Sequence, residues 1–101
     1  MTVNWLTYPF VVYDPRNTTW NDVGGIYIFT GLNNSGRWVA VYIGKAQSFK
    51  ARFANHEVWD EAARLGATHI HAMVVPLEAN RVAIEAELIR AYQPQLNTQL
   101  K

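Results

Sequence analysis

Residues 25–44 read GIYIFTGLNNSGRWVAVYIG, and this stretch decides the fold of the chain. Its two ends, residues 26–30 and 37–43, are rich in β-branched and aromatic residues, whereas residues 31–36 between them form turns readily. Two β-prone runs joined by such a loop predict an antiparallel hairpin. The other elements are placed outward from this hairpin.

The elements on either side of the hairpin follow from strand patterns and from helix start and stop signals. Ser48 is a suitable N-cap, while Gly66 and Pro94 are suitable helix ends. The pattern predicts a small antiparallel sheet with helices packed on it, which is an α+β domain. The predicted elements are an edge strand over 8–13, helices over 49–55 and 58–65, a strand over 68–75 and a helix over 78–92.

Composition narrows the class of protein. The chain has 101 residues, of which half are apolar and 17% are charged, as expected for one folded domain. No apolar stretch is long enough to span a membrane, residues 1–10 do not resemble a signal peptide, and there is no cysteine. We therefore expect a cytoplasmic protein without a membrane partner. The net charge of only +1 means that nucleic-acid binding would need a local basic patch or a partner.

Glu85 breaks the packing pattern of the last predicted helix. It falls within the apolar stripe of that helix, whereas the charged Glu87 and Arg90 fall on the opposite side. A carboxylate on a buried face is costly unless it is paired, hydrogen-bonded or bound to a metal. An ion pair with Arg52 and a metal ligand in a pocket both stay open, and we favour the metal ligand. The stripe consists of Val82, Leu88, Ile89 and Tyr92.

Arg52 and His56 lie four residues apart on the first short helix, on the face that carries Phe49 and Phe53. A guanidinium at such a place can hold a phosphate or a carboxylate through two parallel hydrogen bonds. The alternatives are an arginine whose stem only covers the core and a histidine that only caps the helix end.

Tyr27 and Tyr42 are carried by the two strands of the hairpin. Strand alternation predicts that Tyr42 shares a face with Ala40 and Gly44. A buried tyrosine is most often a core residue with a satisfied hydroxyl, but two of them beside glycines on one hairpin favour a site. Gly44 is expected to leave room for a ligand beside Tyr42, and Lys45 adds a positive charge.

Two histidines share one face of the third strand of the domain, but no third ligand has a suitable spacing. We interpret His69 and His71 as structural or rim residues. Trp38 and Trp59 are expected in the core or at its edge. Acidic residues of the second short helix are expected on its solvated face; they are Glu57, Asp60 and Glu61.

Together these features resemble the GIY-YIG endonuclease domain. Gly25-Ile26-Tyr27 and Tyr42-Ile43-Gly44 match its two signatures, and Arg52 matches the arginine of its first helix. His56 matches a histidine often found one turn later, and the segment from Glu85 to Asn97 matches the closing pattern of the family. The resemblance covers about residues 24–97. It implies a three-stranded antiparallel sheet flanked by helices over residues 24–101. The aromatic N-terminal arm over residues 1–23 has no counterpart in the family pattern; we expect it to pack on the domain, where it could cover the site or enlarge the sheet.

The resemblance also implies metal-dependent hydrolysis of phosphodiester bonds, with DNA as the expected nucleic acid. Glu85 would hold one Mg²⁺ or Mn²⁺, and Arg52 would neutralise charge on the phosphate. Tyr27 would orient or deprotonate the attacking water and Tyr42 would position the phosphate or water, although the sequence does not decide which tyrosine is the base. His56 is a secondary candidate for proton transfer. The expected substrate contacts are Gly44, Lys45, Lys50 and Asn97.

Two other functions stay open. The same fold without catalysis would serve as a module that binds nucleic acid or a protein, which the low net charge favours. The other alternative is a structural partner protein, in which the aromatic arm binds another chain. The nuclease is compatible with a protein partner that supplies DNA affinity. Metal affinity that depends on Glu85 would distinguish the nuclease from the binding module.

Overall fold

A computed structural model describes residues 1–99, so that residues 100 and 101 of the predicted domain lie outside it. No helix among the described residues has both the length and the apolar character needed to cross a bilayer. The strands and helices are β1 (Thr2–Trp5), β2 (Tyr8–Tyr13), β3 (Gly25–Leu32), β4 (Trp38–Ala46), α1 (Phe49–Ala54), α2 (Trp59–Arg64), β5 (His69–Val74), α3 (Glu78–Tyr92) and α4 (Gln95–Gln99).

All described strands form one antiparallel sheet in the order β1-β2-β5-β3-β4. The α+β class is confirmed, but the expected three-stranded sheet is wrong because β1 and β2 extend it to five strands. β2 is an internal strand rather than an edge strand, since it pairs with β1 on one side and β5 on the other. Trp5 and Phe10 of these two strands are buried in the core. The division of the chain at residues 23 and 24 stays a prediction.

Each face of the sheet carries its own apolar cluster, because side chains alternate along the strands. On β3, Tyr27 and Phe29 point to one face, whereas Ile26 and Ile28 point to the other. We call the first cluster the site-face cluster; it includes Phe49 of α1, Ala62 of α2 and Leu96 of α4. The opposite cluster includes Trp5, Phe10 and Leu88 of α3.

A β-bulge in the hairpin changes this alternation. Phe29 pairs with Tyr42, but the next residue of β3, Thr30, pairs with Ala40, so Val41 is an extra residue on β4. Val41 and Tyr42 both contribute to the site-face cluster, and Ala40 packs on the opposite cluster. The expectation that Tyr42 and Ala40 share a face was therefore wrong.

The bounds of α3 match the prediction, but its buried side is rotated from the predicted stripe. Val82 is 48% exposed, whereas the side chain of Arg81 is buried. Arg81 tolerates burial because its guanidinium donates to the backbone oxygens of Val75 and Pro76, both at 2.9 Å, and pairs with Glu78 at 2.8 Å. This rotation leaves Glu85 half-buried at the border of the buried side.

The short helices are close to their predicted bounds. α1 begins after Ser48, whose hydroxyl accepts from the Ala51 backbone N–H at 3.2 Å, as the predicted N-cap requires. α4 follows Pro94 and was not predicted. It matters for the site because it carries Asn97 to the outer side of β4.

Candidate active site

Tyr27 is seated directly over Gly44. The two residues are paired across β3 and β4, and a methyl group on residue 44 would overlap the ring and the oxygen of the Tyr27 phenol. The space that we expected to admit a ligand beside Tyr42 is therefore filled by Tyr27. The second signature of the sequence thus positions the tyrosine of the first.

The Tyr27 oxygen lies 2.6 Å from Nε2 of His56. The other ring nitrogen of His56, Nδ1, accepts from the Val58 backbone N–H at 3.1 Å. Burial lowers the pKa of His56 to about 4, with the positive charge of Arg52 as a further cause, so the ring is neutral at pH 7. Since Nδ1 is an acceptor, the single ring proton sits on Nε2 and is donated to the Tyr27 oxygen.

Both site tyrosines are phenols rather than phenolates at neutral pH. Burial raises the pKa of Tyr27, and the nearby Tyr42 and Glu85 raise it further, whereas Arg52 opposes them. Burial also raises the pKa of Tyr42, again against Arg52. The centres of the two tyrosine rings are 6.2 Å apart. Arg52 is thus the positive charge that favours the ionised form of either phenol.

Arg52 has an acidic partner that the sequence analysis missed. Its two terminal nitrogens each lie 3.0 Å from an oxygen of Glu57, in a two-pronged ion pair. The ion pair between Arg52 and Glu85 that was left open is not formed, and Glu57 is not merely a solvated helix residue. The sequence signal for this contact was the position of Glu57 directly after His56. Glu57 lies in the connection between α1 and α2 and not on the exposed face of a helix.

Glu85 is a half-buried carboxylate with no ion pair among residues 1–99. Burial raises its pKa; the charge and the backbone amide of Lys45 oppose this rise, and the negative Glu78 adds to it. A cavity of about 530 Å³ opens beside Glu85 and is also lined by Asn97. The carboxylate therefore has room for a partner from outside the chain.

The acidic and histidine side chains do not form a metal centre with several protein ligands within the described residues. No group of three or more His, Cys, Asp or Glu side chains within the described part of the chain is arranged to hold an ion. A zinc site is therefore not supported, since zinc takes three or four protein ligands. The single carboxylate of Glu85 fits Mg²⁺ or Mn²⁺, hard ions for which one protein oxygen with waters and phosphate oxygens is sufficient.

The two histidines of β5 belong to the packing on the sheet. His71 is fully buried, and its Nδ1 accepts from the indole N–H of Trp5 at 2.9 Å. Nδ1 of His69 lies 2.8 Å from the hydroxyl of Thr68. The interpretation of both histidines as structural or rim residues agrees with these contacts.

The other predicted substrate contacts stay predictions, but their surroundings differ. The Asn97 amide accepts from the Ile43 N–H at 2.8 Å and donates to the Ile43 oxygen at 2.9 Å, so it fixes α4 to β4. Lys45 lies 3.4 Å from Glu78. Lys50 is exposed on α1.

His56 and Tyr42 lie next to Tyr27, with ring centres 5.4 and 6.2 Å from that of Tyr27. The charges of Arg52 and Glu85 act on the pKa of the Tyr27 hydroxyl in opposite directions. The cavity beside Glu85 is not lined by any of the other four predicted catalytic residues. A phenol, a guanidinium and an available carboxylate are the groups that binding and hydrolysis of a phosphodiester would use.

Solved structures of one domain are similar to this chain. The GIY-YIG N-terminal endonuclease domain of UvrC from Thermotoga maritima, as a point variant bound to its catalytic divalent cation, is 30% identical. The match covers 75% of this chain and 83% of that domain, with a TM-score of 0.60. The same domain bound to magnesium is also 30% identical over 75% of this chain and 84% of that one, with a TM-score of 0.56. No family model and no curated protein sequence matches.

Proposed function

Because this chain belongs to the GIY-YIG endonuclease domain family, we propose that it is a metal-dependent nuclease that hydrolyses phosphodiester bonds in DNA. The observation that carries the proposal is the environment of the Tyr27 oxygen. The His56 N–H donates to it at 2.6 Å, and the charges of Arg52 and Glu85 act on its pKa. A tyrosine that only packs in the core would not need these charges around its hydroxyl.

Glu85 is the proposed ligand for Mg²⁺ or Mn²⁺. When bound, the cation polarises the phosphate and stabilises the leaving oxygen. The half-buried Glu85 carboxylate suits this role because it forms no ion pair within the described residues, and because the charge and backbone amide of Lys45 oppose the rise that burial causes in its pKa.

Arg52 is the proposed phosphate-binding residue. Its planar fork, now paired with Glu57, has the geometry that matches two non-bridging phosphate oxygens. Phosphate binding would exchange one anion for another, so the positive charge near Tyr27 is kept during the reaction.

Tyr27 is the proposed general base, with Tyr42 beside it to orient the water or the phosphate. Tyr27 is 1% exposed and one lone pair of its oxygen accepts from His56, so the attacking water must enter beside this oxygen and give its proton to the other lone pair. The phenol passes its own proton to a solvent water as the new one arrives, and solvent protonates the leaving oxygen. The charge of Arg52 favours the loss of the phenol proton by lowering its pKa. His56 already carries a proton on Nε2, so we assign it to holding the Tyr27 oxygen rather than to accepting a proton.

The test is cleavage of labelled DNA with Mg²⁺ or Mn²⁺, on single-stranded, duplex and branched substrates. We expect Glu85→Gln and Arg52→Lys to lower kcat at least about a hundredfold while the circular-dichroism spectrum is kept. The matched controls are Glu87→Gln on the exposed side of α3 and Arg64→Lys on α2. Cleavage that is unchanged by Glu85→Gln would remove the proposed metal ligand.

The second candidate is a binding module without catalysis. The observation that favours it is the Glu57 carboxylate, which occupies the guanidinium that a substrate phosphate would need. Titration with Mn²⁺ by calorimetry separates the two functions. The nuclease requires Mn²⁺ affinity that Glu85→Gln removes, whereas the module requires none.

A further inference from the structure

We propose that the cleft next to His56 binds an unpaired nucleobase, so that the substrate is single-stranded or contains an unpaired nucleotide. The inference deepens the proposed nuclease function and rests on it. This base cleft has a volume of about 350 Å³. Its lining includes Trp20, Phe53, Asn55, His56, Trp59 and Asp60.

The walls of the base cleft are aromatic. Trp59 is half-buried and is held from the core side by Phe29, with ring centres 4.9 Å apart in an edge-to-face arrangement. Trp20 packs against Phe53 at 4.6 Å and is also half-buried. Rings that are fixed on one side and face a cleft on the other are suitable platforms for stacking, because every base has an apolar π-face.

The base cleft shares His56 with the candidate active site. His56 lines the cleft and is also the residue that holds the Tyr27 oxygen at 2.6 Å. Arg52 lies four residues before His56 on the chain, but α1 ends at Ala54, so His56 is not on the helix that was expected to carry both residues. A base in the cleft would therefore place its own or its neighbour's phosphate near Tyr27 and Arg52.

The charges around the cleft favour a base over a phosphate. The carboxylate of Asp60 lines it, which repels a phosphate but can accept a hydrogen bond from the amino group of a base. Asn55 supplies a donor and an acceptor. With a net charge of only +1, the chain lacks the density of cations that binding to a duplex backbone requires. Stacking is the source of affinity that remains.

The test measures binding rather than cleavage, with the Glu85→Gln variant and no divalent metal. The probes are a fluorescent oligothymidylate, its duplex with oligoadenylate, and an abasic strand of the same length and charge. We expect the oligothymidylate to bind more tightly than the other two probes. Trp59→Ala should weaken its binding about 5- to 100-fold and leave the abasic strand unaffected. Equal affinity for the oligothymidylate and the abasic strand would overturn the proposal.

A conservative pair of variants covers the case in which Trp59→Ala does not fold. Stacked bases quench tryptophan fluorescence, so oligothymidylate should quench the protein, and Trp59→Phe should remove much of this quenching. Trp38→Phe is the matched control, because Trp38 packs on the opposite face of the sheet. Quenching that survives in Trp59→Phe and disappears in Trp38→Phe would overturn the proposal.

The outcome is separable from that of the proposed function. A protein that binds bases in this cleft but never cleaves DNA would refute the nuclease and keep the cleft. A protein that cleaves DNA, yet binds the abasic strand as tightly as the oligothymidylate, would refute the cleft and keep the nuclease.

Discussion

The guanidinium of Arg52 and the carboxylate of Glu57 face each other through two nitrogen–oxygen contacts of 3.0 Å. The Glu57 side chain is 71% exposed, so water and a competing anion can reach it. A carboxylate in this geometry occupies the position that a phosphate would take on the same arginine. If Arg52 binds the substrate phosphate as proposed, Glu57 is an internal competitor of the substrate.

The first prediction concerns this competition. Glu57→Gln should lower the KM for DNA about two- to fivefold with kcat unchanged, because an exposed ion pair is weak and its loss frees the guanidinium. Steady-state cleavage kinetics at fixed salt measure both constants. Glu61→Gln, which removes an exposed carboxylate that pairs with Arg64 on α2, is the control. A fall in kcat instead would mean that Glu57 positions Arg52 for catalysis.

The second prediction concerns the place of Tyr27 over Gly44. Gly44→Ala should lower kcat at least about tenfold, because the added methyl group displaces the phenol from its position on His56. The effect should nearly vanish in the Tyr27→Phe background, where the displaced oxygen is already absent. A double-mutant cycle on kcat makes this measurement. Losses that simply add would show that Gly44 acts independently of the Tyr27 oxygen.

The third prediction concerns the ionisation of Glu85. The positive charge of Lys45 lowers the pKa of this carboxyl, against the rise that burial causes. Lys45→Met should therefore move the acidic limb of the pH–rate profile to higher pH, since more protons are then bound at a given pH. Lys50→Met is the control for the loss of a cation, and it should leave the limb in place whatever its effect on the rate. If the acidic limb does not move in Lys45→Met, the charge of Lys45 does not control the ionisation of Glu85.

The fourth prediction concerns the stability of the fold in acid. Burial lowers the pKa of His71 to about 4 from an ordinary value of 6.5. Between these values the unfolded chain binds a proton that the folded chain does not, so stability is fully present above pH 6.5 and is lost as the pH falls toward 4. The loss from this residue should be about 3 kcal/mol by urea unfolding.

The matched variant for this measurement is His71→Gln. It should be less stable than the wild type at pH 7, because packing and the contact with Trp5 change, but its stability should depend less on pH between 6.5 and 4. His56 contributes to the same range, since its pKa is also lowered to about 4. An unchanged pH dependence in His71→Gln would assign the acid sensitivity to other groups.

Local sequence signals sufficed for most elements. The hairpin, α1 with its Ser48 cap, and the bounds of α3 follow from periodicity and end signals within a few residues. The five-stranded sheet does not follow, because whether residues 2–13 pair with β5 depends on long-range contacts that no local pattern contains. The bulge at Val41 is likewise a property of the pairing of two strands and not of either alone.

The site was partly predictable for the same reason. Tyr27, Arg52 and Glu85 were identified because each breaks a packing rule or matches a spacing. The roles of Glu57 and of the Val58 N–H were missed, since both lie where α1 ends and their contacts depend on how the chain turns there. Arg81 was missed because burial of a guanidinium requires the backbone oxygens of Val75 and Pro76, which only the folded chain brings together.

β4 is one of the two edge strands of the described sheet, and the Asn97 amide bonds the N–H and the oxygen of Ile43 on its outer side, as a neighbouring strand would. Unpaired backbone groups at such a border invite a second chain to add to the sheet and so promote aggregation. By covering these groups on β4, the strand that carries Tyr42, the amide of Asn97 is expected to reduce aggregation. A change that preserves chemistry but removes this amide would be expected to yield an enzyme that self-assembles as its concentration rises.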